Sequence, residues 1–209
     1  MDKRYAIFDM DGTLVDSMVY WKNLASEYLR QKGVTEIPAE VLNKIKPMTM
    51  TESAALFIQE FQLEDSPEQI ADEMNALMDQ HYHTDIPLKA GVHECLDQLH
   101  RSGTVMCVAS ATAEPLMEAC LSRLGVAHYF QFLLSCETVG AGKSRPDVYF
   151  AAAERLGARP EEIAVYEDAL YAARTAKEAG FYVVGVYDDS ASGHWEELKE
   201  LADEWIKEW

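Results

Sequence analysis

The chain has 209 residues, 48% of them hydrophobic, which supplies a large packed core and leaves room for one domain carrying an insertion. Its 18 Lys and Arg stand against 36 Asp and Glu, a net charge of −18 that opposes nucleic acid and anionic membrane over most of the surface. No apolar run is long enough to cross a bilayer and no signal-like segment precedes the first strand, so the sequence predicts a cytoplasmic protein with neither nucleic acid nor membrane as partner.

The first predicted strand, Tyr5–Asp9, is apolar until it ends on an acid, and a second carboxylate, Asp11, precedes a Gly12-Thr13 turn. Buried strands avoid acids unless something nearby makes them useful. Residues 18–86 then contain no convincing strand but show helical patterns over 18–32, 38–45, 51–62 and 67–82, the last opening on Ser66 as N-cap and Pro67 in the first turn. These patterns predict an all-helical insertion, residues 16–86, between 1–15 and 87–209. In "HYHTD", residues 81–85, the two histidines point to different helix faces without a third ligand, which predicts a solvated helix end. Tyr20 and Trp21 fit either a cleft lining or the core of the insertion.

Four more runs rich in Val, Ile, Phe and Tyr follow: Val105–Ser110, Phe132–Cys136, Ile163–Glu167 and Tyr182–Tyr187. Their continuous apolar character favours a parallel sheet covered on both faces. Helices are predicted around 91–102, 113–124, 146–157 and 169–179, each ending near a glycine (Gly103, Gly125, Gly157, Gly180) as a C-terminal cap. Alternation of this kind predicts an α/β fold, a doubly wound parallel sheet of Rossmann-like type. The stretch 194–209 reads as a last helix, with Trp195, Leu198, Ala202, Trp205 and Trp209 near one face, packed on the sheet edge. Cys95, Cys107, Cys120 and Cys136 are scattered, without CxxC or finger spacing, and suit thiols in a reducing compartment.

Chemistry gathers at the C-terminal ends of the strands, where open α/β sheets bind ligands. Asp9 and Asp11 follow the first strand, Ser110 ends the second, and Glu167-Asp168 ends the fourth. Between the third and fourth lies "GAGKSRPD", a loop presenting Lys143 and Arg145. The chemistry these clusters share is phosphate.

In these stretches the sequence resembles the haloacid dehalogenase-like superfamily, in its phosphatase and β-phosphoglucomutase-like branch. "DMDGT", Ser110, Lys143 and Glu167-Asp168 correspond in order to its four motifs, and the insertion corresponds to the helical cap of that branch. The resemblance implies a Mg²⁺-dependent phosphotransferase with an aspartate nucleophile and a sheet of order 5-4-1-2-3. It assigns Asp9 as nucleophile and Asp11 as acid and base, a role that needs a proton retained by burial or neighbouring charge. Asp9, Asp11 and Asp168, with Glu167 nearby, would hold Mg²⁺; Ser110, Ala111, Gly12 and Lys143 would contact the phosphoryl group. An acid at position 11 points to phosphate esters rather than to dehalogenation. Met50 stands where mutases of this branch carry an arginine, and no Lys or Arg occurs from Pro47 to Leu88. The expected function is therefore hydrolysis of a small phosphorylated metabolite, recognised weakly through Met48, Thr49 and Met50, by a monomer. The competing expectations are a sugar-phosphate mutase and a phosphate-binding regulatory module without turnover.

Overall fold

The computed structural model describes residues 3–45, 48 and 50–209. In chain order, β1 (Tyr5–Phe8) precedes four helices, α1 (Met18–Gln31), α2 (Ala39–Ile45), α3 (Met50–Phe61) and α4 (Pro67–Thr84). Then come α5 (Val92–Arg101), β2 (Val105–Ser110), α6 (Glu114–Arg123), β3 (Phe130–Ser135), α7 (Cys136–Val139) and α8 (Asp147–Leu156). The chain finishes with β4 (Ile163–Glu167), α9 (Leu170–Glu178), β5 (Tyr182–Val186), α10 (Trp195–Leu201) and β6 (Glu204–Ile206). It divides into two compact units, Met1–Met18 with Ile86–Trp209, and Val19–Asp85.

The first unit is built on a six-stranded sheet of order β3-β2-β1-β4-β5-β6, with every neighbouring pair parallel. Hydrophobic burial explains why the strands read as unbroken apolar runs: β1 and β4 are covered on both faces, and Ile7, Cys107, Val165 and Val183 are fully buried. Below the C-terminal edge of the sheet, Phe8 stacks on Tyr166 with ring centroids 4.2 Å apart, which ties β1 to β4 directly before Asp9 and Glu167. The chain leaves and re-enters this unit side by side: Asp16 N–H donates to the Pro87 carbonyl at 2.9 Å, and Lys89 N–H to that of Leu14 at 3.0 Å.

Five strands stand in the expected order, and a sixth corrects the reading of the C-terminus. The predicted helix over 194–209 stops at Leu201, because Ala202 turns extended and the chain docks on the open edge of β5. Asp203 supplies both halves of the docking: its N–H donates to the Val183 carbonyl at 2.9 Å, and its carboxylate accepts the Val183 N–H at 2.8 Å. An edge strand with unpaired backbone groups is a strong competitor for any following segment. Trp209 then lays its ring over Tyr166, 5.7 Å between centroids, and Trp205 stays exposed.

The second unit packs α1 to α4 around Leu24, Leu29, Phe57, Ile70, Met74 and Met78. Ser66 caps α4 through a reciprocal box with Gln69, worth about 1 kcal/mol. The helix end over 81–85 is solvated at His83, Thr84 and Asp85, but His81 is half-buried: its ring nitrogens meet Glu27 on α1 at 3.1 Å and Asp85 at 2.9 Å, and its ring packs on Tyr20. Burial lowers the His81 pKa, but hydrogen bonds to Asp85 and Glu27 outweigh it and raise the group above its usual value. Trp21 donates its indole N–H to the Tyr82 hydroxyl at 3.0 Å, inside the same unit.

Candidate active site

Register places the acids. Phe8 pairs with Val108 on one side and Tyr166 on the other, so the residues that follow emerge together at the C-terminal edge. Asp9 continues the ladder by donating its N–H to the Tyr166 carbonyl at 3.0 Å. Gly12 then turns with φ +83°, and a Cβ there would lie 2.5 Å from Asp168 Oδ2. Only glycine permits both the turn and the close approach of that carboxylate. The adjacent Thr13 hydroxyl donates to Asp168 Oδ1 at 3.1 Å, so the loop after β1 grips the acid after β4.

Lys143, from the loop between α7 and α8, reaches back to the same place. Its buried ammonium donates to Asp9 Oδ1 and, at 2.6 Å, to Glu167 Oε1. Burial disfavours its charge, yet the two carboxylates overcome that and hold it protonated. Glu167 Oε1 also accepts the Tyr149 hydroxyl of α8 at 2.7 Å. The neighbouring loop cation, Arg145, pairs instead with Asp147 at the surface.

Asp11 is surrounded by hydroxyls. Ser17 donates to one of its oxygens at 2.6 Å and Thr112 to the other at 2.6 Å, with Ser110 Oγ 3.5 Å away. The Ser110 hydroxyl accepts the Thr112 N–H at 3.2 Å, and Ala111 between them is exposed. A cavity of about 620 Å³ borders Asp168 in this unit, lined also by Ser144, Tyr171, Arg174 and His194. Met48 and Met50 line a cavity of about 540 Å³ inside the helical unit, with Trp21, Leu42, Ser53 and Met74. Thr49 lies outside the described residues.

Sequence reasoning missed Thr13, Ser17, Thr112 and Tyr149. Single hydroxyls carry no spacing signature, although Thr13 and Thr112 do stand within two residues of assigned positions. Lys89, whose ammonium reaches the Gly12 carbonyl at 2.7 Å, was missed because a lone lysine between elements finds its acceptors only through the fold.

The electrostatics ask for a cation. Asp9, Glu167 and Asp168 are buried and each offers an oxygen within 4.8 Å of the others, with Asp11 close by and Lys143 paired to Asp9 and Glu167. Burial pushes Asp9 well above the usual carboxylate range, Lys143 opposes this, and Glu167, Asp168 and Asp11 add to it. Asp168 is pushed up to about 7, by burial first and then by Glu167 and Asp188. An all-oxygen donor set under such repulsion suits a hard divalent ion such as Mg²⁺.

Against known proteins, the profile of the haloacid dehalogenase-like hydrolases matches residues 6–186. The chain belongs to that family. Among haloacid dehalogenase-like relatives it is 28% identical to the fructose-1-phosphate phosphatase YqaB of Escherichia coli K12, across 89% of this chain and 98% of that one. It is 29% identical to hexitol phosphatase A of the same organism, across 86% and 81%. The fold is shared with CbbY of Rhodobacter sphaeroides, whose structure holds xylulose-(1,5)bisphosphate, at a TM-score of 0.78 and 23% identity over 99% of this chain and 94% of that one.

Proposed function

We propose that this haloacid dehalogenase-like hydrolase is a Mg²⁺-dependent phosphatase that cleaves the monoester of a small phosphorylated metabolite through an aspartyl-phosphate. The observation that carries this reading is the buried cluster of Asp9, Lys143, Glu167 and Asp168, two of whose carboxylates are pushed up by burial and mutual repulsion. The phosphatase names of relatives matched over most of the chain support it.

Asp9 and Asp168, with the Asp11 backbone carbonyl and Glu167 beside them, would hold the ion. Bound there, Mg²⁺ supplies the positive charge that keeps the carboxylates ionised and screens them from phosphoryl oxygens. Asp9 attacks phosphorus in line while Asp11 gives its proton to the leaving ester oxygen as the P–O bond breaks. In the second half a water attacks phosphorus, Asp11 takes its proton, and the bond to Asp9 breaks to release inorganic phosphate. Lys143 offsets the charge of Asp9 and Glu167 throughout, and Ser110 and Ala111 lie at the strand end where phosphoryl oxygens need donors. Residues 16–86 act as the cap in this reading, with Met48, Thr49 and Met50 as candidates for the leaving group. A mutase would need a cation there for a second phosphate, and none occurs from Pro47 to Leu88. A regulatory module without turnover has no reason to keep Asp9, Asp11, Lys143 and Asp168 together.

Phosphate release from p-nitrophenyl phosphate and a panel of sugar phosphates tests this. We expect turnover that stops with EDTA and returns with Mg²⁺, and a loss of at least ~10³-fold in kcat for Asp9→Asn. An Asp9→Asn variant as active as the parent would overturn the nucleophile.

A further inference from the structure

We propose that Lys89 is a positioning residue for the acid cluster, its ammonium fixing the Gly12 peptide against which the Asp168 carboxylate rests; this builds on the phosphatase reading above. Lys89 lies where the chain re-enters the first unit, three residues after Ile86 and ahead of α5. Its Nζ donates to the Gly12 carbonyl at 2.7 Å, the Tyr187 carbonyl at 3.0 Å and Asp188 Oδ2 at 2.6 Å. Those acceptors match the three protons of an ammonium.

Each acceptor is itself anchored. Asp188 is buried, and its other oxygen takes the N–H and hydroxyl of Ser190, the N–H at 2.9 Å. The Tyr187 N–H is held by Ile206 of the edge strand at 2.9 Å. The amine is therefore tied to the end of β5, and Gly12 is what it locates. Gly12 has the widest conformational freedom in the loop, and its carbonyl direction sets the plane leading to Thr13. Thr13 Oγ1 and the Gly12 Cα together bound Asp168, so a chain of contacts runs Asp188, Lys89, Gly12, Asp168. A neutral residue at 89 would let the Gly12 peptide rotate and Asp168 drift from Asp9 and Glu167. Lost outer contacts of this kind weaken metal sites about 10–100-fold.

A rival account makes Lys89 only the counter-charge of buried Asp188, and a pair of variants separates the two. Lys89→Met strands the Asp188 charge, whereas Lys89→Met/Asp188→Asn removes that charge and still leaves the Gly12 carbonyl unheld. Calorimetric titration of the full chain with Mg²⁺, melting temperature, and kcat and KM on p-nitrophenyl phosphate are the readouts. We expect Lys89→Met to melt lower, and the double variant to regain most of that loss. Both should bind Mg²⁺ at least about tenfold more weakly than the parent, with kcat lowered more than KM is raised. Lys89→Gln, which keeps an N–H donor without the charge, should fall between parent and Lys89→Met, and it serves if the methionine variants do not fold. Parent-like Mg²⁺ binding by the double variant, or by Lys89→Gln and Lys89→Met alike, overturns the positioning role. Absence of Mg²⁺ binding by the parent itself would instead sink the phosphatase reading, and this inference with it.

Discussion

At the scale of single residues, the acids and the lysine were legible because charge at the end of an apolar strand is rare enough to be read. Asp9 and Glu167 follow runs of buried side chains, and the ladder brings them to one edge. The residues that orient them were not legible, because a hydroxyl or a tyrosine gains its partner only through the fold. Tyr149 is the clearest case. In sequence it is one more apolar position of α8, yet its hydroxyl donates to the Glu167 oxygen that also takes Lys143. Burial and Glu167 together raise its pKa far above the usual range, so the hydroxyl keeps its proton and remains a donor. Tyr149→Phe keeps the ring and deletes the donor to a buried carboxylate, a change that costs about 1.5–3 kcal/mol. Urea unfolding should show that loss as a lower midpoint with an unchanged slope; an unchanged midpoint would mean the hydroxyl contributes nothing to holding Glu167.

Elements divide the same way. Strands fully buried in a parallel sheet and helices ended by glycine announce themselves locally, and Val105–Ser110 and Ile163–Glu167 match residue for residue. The C-terminus does not, since whether residues 202–209 continue a helix depends on the open edge of β5. Its last residue also explains a glycine far away in sequence. Gly91, at φ +83° before α5, would bring a Cβ to 2.5 Å from the Trp209 carbonyl oxygen. Gly91→Ala therefore combines left-handed strain with a backbone clash and should destabilise by about 1–3 kcal/mol. Removing Trp209 deletes the clashing atoms together with a ring stacked on Tyr166, so that change alone also destabilises. The two changes combined should cost less than their sum, because the clash is gone. Strict additivity in thermal melts would show that Gly91 and the tail do not meet.

Across the whole molecule, the site imposes a dependence on pH that is opposite to that of an ordinary salt-bridged acid. Asp9 lies above its ordinary value and Asp168 rises from 3.8 to about 7, so the metal-free fold prefers these groups protonated. An unfolded chain releases those protons near pH 4, whereas the folded one keeps Asp168's until about 7. Between these values the unfolded state binds fewer protons, and stability therefore falls as pH rises across that window. A divalent ion reverses the balance, because it binds the ionised carboxylates and displaces their protons. Melting curves in EDTA should accordingly show the first unit more stable at pH 5 than at pH 8, and Mg²⁺ should raise the melting temperature more at pH 8. Asp168→Asn, which carries no ionisable group at that position, should flatten the EDTA profile and shrink the Mg²⁺ effect at pH 8. An EDTA profile that climbs steadily from pH 5 to pH 8 would show that burial and repulsion do not govern the cluster, and the case for a cation drawn there by excess negative charge would fail with it.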